Sequence, residues 1–445
     1  MLQIRKMERR LLHKLLTWKD TEGRKPLIIR GARQVGKTWL MKEFGSTFFS
    51  DLVYINFETN RTAKLLFEQG LDLARIIQGL EIQLGKSIDA KNCLLIFDEI
   101  QECPDALTSL KYFQEQLPEY YIIAAGSLLG VALHQNTSFP VGKVEFLDLY
   151  PLSFSEFLEA IGEKSLANLV SSLDWSLLSP FREKLIYHLR TYYFIGGMPE
   201  AVKTYAEKQD FFEVRVIQRR ILEAYEQDFS KLAPAEVVPR IRMIWNSIPS
   251  QLAKENKKFI FGQLRQGARA KEFELAMEWL RDCGLIHKIC RVSKPGMPLK
   301  AYEDFSAFKV YLLDIGILGA LVDLDARSIL EGNRLFTEFK GSLTEQFVLQ
   351  ELITAGHTLY YWSAERGVAE LDFILQDQGT VVPLEVKAEE NLKAKSLKVV
   401  AENYPDTFPV RTSMSDFRKE SWMTNFPLYA VSYLAKYLDL ERPKS

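Results

Sequence analysis

Leu27-Ile-Ile-Arg-Gly-Ala-Arg-Gln-Val-Gly-Lys-Thr-Trp-Leu40 is the stretch on which the reading of this chain turns. Leu27-Ile28-Ile29 predicts a short buried strand, and Trp39 to Phe44 continues as a helix. Between them Gly31 to Thr38 fits G-x-x-x-x-G-K-[ST] at every fixed position. Glycine lets the backbone curl so that successive N–H groups converge on phosphate oxygens. The helix that follows adds the partial positive charge of its N-terminus. Gly31, Ala32, Arg33, Gln34, Val35, Gly36, Lys37, Thr38 and Trp39 are therefore the candidate phosphate-binding residues. Lys37 would reach the β- and γ-phosphates, and the Thr38 hydroxyl would ligate Mg²⁺.

Working outward, Leu52 to Phe57 alternates as a strand would, and Leu73 to Leu84 has helical periodicity. Cys93-Leu-Leu-Ile-Phe-Asp98-Glu99 is an apolar run ending in two acids. On a parallel strand those acids emerge at the carboxyl end of the sheet, beside Thr38. Asp98 would hold Mg²⁺, and Glu99 would act as general base on an attacking water. That glutamate favours hydrolysis over phosphoryl transfer to a metabolite. Tyr121 to Gly126 reads as a third buried strand, ending at Ser127.

Composition narrows the class. The 445 residues are 47% hydrophobic and 26% charged, with a net charge of −1. That describes a globular chain of several domains with no global field for nucleic acid or membrane. Cys93, Cys103, Cys283 and Cys290 form no C-x-x-C pair, which argues against a zinc site or a disulfide framework. The charged N-terminus lacks a signal core, and the longest apolar run, Tyr120 to Leu133, is too short to span a bilayer. The expectation is a cytoplasmic protein without membrane contact.

At Ser127 the chain resembles the AAA+ ATPases, whose corresponding strand carries a polar sensor of the γ-phosphate. The resemblance gives Ser127 that catalytic role. Pro151-Leu-Ser-Phe-Ser-Glu-Phe157 and Gly196-Gly-Met-Pro-Glu200 further resemble one bacterial and archaeal AAA+ family, whose members carry a C-terminal domain of uncharacterised function. Members usually have Gly-Arg where this chain has Gly142-Lys143. Lysine lacks the bidentate fork of an arginine finger. The resemblance implies ATP and Mg²⁺ as ligands and a homo-oligomer, the latter weakened by Lys143. No motif selects a second sensor among Arg219 and Arg220.

Phe154 to about Ala233 reads as helical, broken by a stop and turn at Gly196 to Pro199. Residues 235–333 read as a winged helix-turn-helix, with a short helix at Phe259–Arg265, a longer one at Lys271–Cys283, and wing strands at Leu285–Val292 and Tyr311–Leu313. Lys254, Lys257, Lys258, Arg265, Arg269 and Lys271 cluster there as a candidate DNA contact, or as a solvated face used for protein contact.

The last segment alternates. Glu370 and Asp372 share one strand face, and Glu385 and Lys387 share a face of the next. Asp372 and Glu385 could hold Mg²⁺, with Lys387 as the catalytic group that activates water or stabilises developing charge. Glu345 on the preceding helix, Asp372 and Glu385-x-Lys387 resemble the PD-(D/E)xK nuclease fold, although no proline precedes Asp372.

The fold expected is α/β and multidomain. A P-loop AAA+ parallel sheet (1–155) is followed by a helical lid (156–234), the winged helix (235–333) and a restriction-endonuclease-like α/β domain (334–445). The function expected is an ATPase coupled to a nuclease-like domain that acts on or binds nucleic acid. A nucleotide-dependent DNA-binding switch and a protein-interaction ATPase, each with a silent nuclease-like domain, remain open.

Overall fold

The computed structural model describes residues 9–126, 140, 142–254, 256–332, 337–364, 369–389 and 393–442. Two compact units divide the chain. Arg9–Tyr150 with Glu278–Leu285 form one, and Pro151–Met277 with Ile286–Ser445 form the other. Among the described residues no helix is long and apolar enough to cross a membrane.

The first unit is a five-stranded parallel sheet. Its strands are β1 (Leu27–Arg30), β2 (Asp51–Asn56), β3 (Cys93–Asp98), β4 (Tyr121–Ala125) and β5 (Glu145–Asp148), in the order β2-β3-β4-β1-β5. β3 is buried at every position, as a strand covered on both faces must be, and its apolar run needs no alternation. Phe57, Phe67 and Phe97 meet at centroid distances of 5.4–5.7 Å on one side of the sheet. Leu73–Leu84 forms a helix with the expected bounds, capped by the Asp72 side chain and closed by Gly85. The register sets Asn56 and Ala125 beside Asp98, so the acid at the end of β3 stands at the sheet's carboxyl edge.

The second unit begins with helices at Phe154–Ala160, Lys164–Ser172, Trp175–Leu178, Arg182–Ile195, Pro199–Lys208 and Phe211–Leu232. The Ser153 side chain and Glu156 close a capping box at the first of these. The expected stop is present: the helix Arg182–Ile195 ends at Gly196, with φ +72°, and Pro199 opens the next.

An eight-stranded mixed sheet completes this unit, in the order β12-β13-β11-β10-β9-β8-β6-β7. Its strands are β6 (Ile286–Val292), β7 (Glu303–Leu312), β8 (Leu359–Ser363), β9 (Glu370–Asp377), β10 (Thr380–Val386), β11 (Val410–Ser413), β12 (Arg418–Lys419) and β13 (Thr424–Pro427). Two expectations from sequence change here. Phe259–Arg265 is not a helix but a single 3₁₀ turn, Phe261–Gln263. The reason is that the Phe259 N–H is taken by Phe308 O of β7 and Gly262 has no propensity to extend the turn. The strand expected at Leu285–Val292 is present as Ile286–Val292, whereas the one expected at Tyr311–Leu313 begins much earlier, at Glu303. They pair antiparallel as β6 and β7, and β6 joins β8 through Arg291↔Tyr361 and Val292↔Trp362.

From Thr337 the element order is helix (Thr337–Thr354), β8, β9, β10, helix (Lys395–Asn403), β11. β8 to β10 pair antiparallel and β11 lies parallel to β10. A buried polar stripe on the first of these helices reads out distant backbone. Gln346 accepts the Leu312 N–H, Gln350 accepts the Ile315 N–H, and Glu351 accepts the Phe154 N–H at 2.7 Å.

Candidate functional site

In the first unit the loop after β1 turns back on itself. Gly31 has φ +144°, and a Cβ there would lie 2.2 Å from Leu149 O, so only glycine fits. Gly36, with φ +95°, ends the loop and Lys37 starts the helix Lys37–Phe48. The Lys37 ammonium donates to Gly31 O and Ala32 O, both at 2.8 Å, closing the loop on itself. Burial holds Lys37 down to about 8, although Glu99 and Asp98 favour its charge.

Thr38 Oγ1 donates to Asp98 Oδ2 at 2.7 Å, so the loop and the acidic strand end meet as expected from sequence. A hydroxyl and a carboxylate at this separation form a hard-oxygen pair suited to Mg²⁺. Glu99 follows in the left-handed backbone region, φ 50°. Gln101 Nε2 donates to Glu99 Oε2 at 2.7 Å and fixes its direction. Trp39 stands partly exposed at the start of the helix. Lys143 forms a surface pair with Glu115 at 3.0 Å. Ser127 lies outside the described residues.

Two participants were not legible in sequence. Tyr54 donates to the same Asp98 oxygen at 2.9 Å. Arg9, 6% exposed, donates to Val35 O at 3.0 Å and Tyr150 O at 2.6 Å, tying the loop to the chain beyond β5. Arg9 sits in a charged N-terminal run that reads as solvated, so no local signal marks it.

A second candidate site lies in the other unit. Asp372 on β9 accepts the Val386 N–H at 2.7 Å. Glu385 on β10 accepts the Leu397 N–H at 3.2 Å and pairs with Lys387 at 2.7 Å. Glu345 lies within hydrogen-bonding reach of Asp372 and accepts from Tyr311 OH at 3.1 Å. Asp372 is thus tied to the β10 backbone and Glu385 to Lys387, and two further lysines stand by the neighbouring acids. Lys257 pairs with Glu345, and Lys309 on β7, 1% exposed, pairs with Glu370 at 2.5 Å. Lys257 therefore leaves the expected basic cluster, in which Arg265 also pairs with Glu272 while Lys254, Lys258, Arg269 and Lys271 stay exposed. Lys309 does carry a signal in sequence, as a lysine inside the apolar run Ala307-Phe-Lys-Val-Tyr-Leu312.

The electrostatics follow from burial. Asp372 is pushed up by burial and by the adjacent Glu345 charge. Burial also opposes the charge of Glu345, but Lys257 and Lys309 outweigh it and hold this carboxyl low. Lys309 is likewise disfavoured by burial and is held up by Glu345, Glu370 and Asp372. Among the described residues no group of three or more acids, histidines or cysteines is arranged to hold a metal ion. The donor set of Asp372 and Glu385 is thus not free for Mg²⁺ as it stands, because amide and ammonium groups already occupy it.

Residues 23–158 match the family described as an AAA domain. Residues 186–328 match the domain of unknown function DUF8612, and residues 340–430 match the domain of unknown function DUF4143. No curated protein matches the chain significantly. Among solved structures, the Walker-type ATPase paby2304 of Pyrococcus abyssi is similar at 16% identity and a TM-score of 0.46, covering 71% of this chain and 96% of its own. The Aeropyrum pernix ORC1 protein in complex with DNA gives 13% identity, a TM-score of 0.29 and coverages of 71% and 90%. Cdc6p from Pyrobaculum aerophilum gives 12%, 0.25, 73% and 96%.

Proposed function

We propose, for a chain that carries an AAA domain and hydrolyses ATP as a P-loop NTPase, that ATP binds at Gly31 to Trp39 and that a C-terminal nuclease-like domain acts on or binds nucleic acid. The observation that carries the first part is the 2.7 Å bond from Thr38 to Asp98, which joins the loop to the acidic strand end.

On nucleotide binding the Lys37 ammonium leaves Gly31 O and Ala32 O for the β- and γ-phosphates. Thr38 and Asp98 would hold Mg²⁺, which supplies neutralisation of phosphate charge when bound. Glu99, steadied by Gln101, takes a proton from water as the water oxygen bonds to the γ-phosphorus. The bond from that phosphorus to the bridging oxygen breaks, and ADP and phosphate leave. Ser127 would sense the γ-phosphate.

For the C-terminal domain the support is the order helix, three antiparallel strands, helix, parallel strand, with Glu345, Asp372, Glu385 and Lys387 gathered on it. The helices and hairpin between residues 238 and 312 support a winged-helix reading, with Lys254, Lys258, Arg269 and Lys271 available to phosphates. A second reading, in which the nuclease-like domain is silent, is favoured by Lys257 and Lys309 among its carboxylates. Action in the cytoplasm and assembly with further copies belong to the same proposal.

The test is Mg²⁺-dependent cleavage of single- and double-stranded DNA, with and without ATP, by the parent, Lys37→Ala and Asp372→Ala. Lys37→Ala should lose ATP hydrolysis. Cutting that depends on ATP and disappears in Asp372→Ala supports the nuclease. Salt-sensitive DNA binding without cutting selects the silent domain, and the absence of both ends the nucleic-acid reading.

A further inference from the structure

The carboxylate cluster of the second unit already contains its own cations. Glu345, 6% exposed at its side chain, pairs with Lys257 and accepts from Tyr311. Glu345 and Asp372 lie within reach of one another, and Lys309 pairs with Glu370 on the same strand as Asp372. Two buried acids this close repel, and a cation is needed to hold both in a low-dielectric site.

The two lysines differ in how firmly they are held. Lys309 is built into β7, opposite Ile289 of β6, and its ammonium lies 4.8 Å from the Tyr361 ring centroid. It cannot leave without opening the sheet. Lys257 stands on an irregular stretch between the helix Val238–Leu252 and the 3₁₀ turn Phe261–Gln263. That stretch is tied at its two ends, by Ser342 to Leu252 O and by Gln251 to Ile260 with Phe259 to Phe308 O, and among the described residues no backbone hydrogen bond holds Lys257 itself. Lys257 itself is 12% exposed, so its ammonium has a short route to water.

We propose that the Lys257 ammonium occupies the divalent-cation position of this site, so that the carboxylates of Glu345 and Asp372 take a metal ion only when Lys257 withdraws. The proposal rests on the nuclease-like reading and deepens it. An inserted lysine accounts for a donor set that is chemically right for a hard cation yet already satisfied. It also gives the segment around Lys257 a regulatory role, since moving one flexible side chain exchanges a monovalent for a divalent cation at the same carboxylates. Lys309 stays in either state and sets the residual charge.

The experiment uses the full, nucleotide-free chain and Mn²⁺ alone as probe, with binding read by isothermal titration and by the Mn²⁺ spin-resonance signal. Lys257→Gln is one bond shorter but keeps a donor toward Glu345 and removes the charge. Lys257→Arg keeps the charge. Asp372→Asn, alone and combined with Lys257→Gln, identifies the site and separates it from Thr38 and Asp98. Lys257→Gln should bind one Mn²⁺ at least roughly tenfold more tightly than the parent, because one buried positive charge has been removed next to the ion. The gain should vanish with Asp372→Asn, and Lys257→Arg should behave as the parent. Equal, Asp372-dependent binding by parent and Lys257→Gln overturns the inference while leaving the nuclease reading standing. Absence of Asp372-dependent binding in every variant overturns both. Should Lys257→Gln fold poorly, its melting temperature with and without Mn²⁺ decides: a rise confined to this variant and lost with Asp372→Asn supports the proposal, and no rise refutes it.

Discussion

Tyr54 and Asp98 are joined across neighbouring strands: the phenol on β2 donates to Asp98 Oδ2 on β3 at 2.9 Å, the oxygen that also accepts from Thr38. Burial, added to by the Asp98 and Glu99 charges, pushes the phenol up to about 12, so it remains a donor at working pH. Tyr54 therefore orients the acid proposed to hold Mg²⁺. Tyr54→Phe should lower kcat for ATP roughly three- to tenfold, the value of one ordinary hydrogen bond, and raise the Mg²⁺ concentration for half-maximal rate. ATP affinity measured without metal should stay within about twofold, since the phenol touches no phosphate-binding residue. An unchanged Mg²⁺ dependence would remove Tyr54 from the site.

Glu99 sits in the left-handed region and its carboxylate is held by Gln101. Glu99→Gln should retain ATP and lose roughly a hundredfold or more in kcat, as expected for a missing general base. Gln101→Leu should lose less, about tenfold in kcat, with KM for ATP unchanged, because only the aim of the base is loosened. A rise in KM without loss of kcat would make Gln101 a binding residue instead.

What the sequence made legible is what is local. Gly31 to Thr38, Leu73 to Leu84, Cys93 to Asp98 and the alternation at Glu370–Asp372 and Glu385–Lys387 each carry their signal within a few residues. The partners that finish both sites come from far along the chain and, Lys309 within its apolar run apart, look ordinary where they stand. Arg9 meets Val35 and Tyr150 because β5 lies beside β1. Lys257 and Lys309 meet Glu345 and Glu370 because β6 and β7 add to the C-terminal sheet, through a pairing of two residues that no periodicity announces. β6 and the end of β7 were recognisable as strands, but their sheet partner was not.

Gly196-Gly197 shows how closely two sequence motifs can depend on each other. The Leu152 N–H donates to Gly197 O at 2.7 Å, and a Cβ on Gly197 would lie 2.1 Å from Leu152 O. Both neighbours are backbone and cannot swing aside. Gly197→Ala should therefore destabilise by roughly 3 kcal/mol or more, with a clearly lowered melting temperature. Gly262→Ala is the control: its Cβ meets nothing within 4 Å. That change should be neutral or stabilise by up to about 1 kcal/mol. Equal melting temperatures for the two variants would contradict the close approach.

Asp314, wholly buried, accepts the Gly197 N–H at 2.6 Å, the Ile317 N–H at 3.0 Å and Gln350 Nε2 at 3.2 Å. Those donors favour its charge, yet burial outweighs them and raises the carboxyl to about 6 from an unfolded value of 3.8. The native state thus holds a proton between about pH 4 and pH 6 that the unfolded chain has released. Stability from this group is fully present below the unfolded value and is lost as pH rises through about 6. The whole difference of about two units corresponds to roughly 3 kcal/mol, of which roughly 1 kcal/mol separates pH 7 from pH 5. Asp314→Asn should weaken the fold at both pH values, because an amide cannot accept from all three donors. The deficit relative to the parent should be larger at pH 5 than at pH 7 by that roughly 1 kcal/mol. Urea unfolding of both proteins at the two pH values measures it. A deficit that is constant, or larger at pH 7, would mean that Asp314 is ionised throughout and that its donors, not its burial, govern the group.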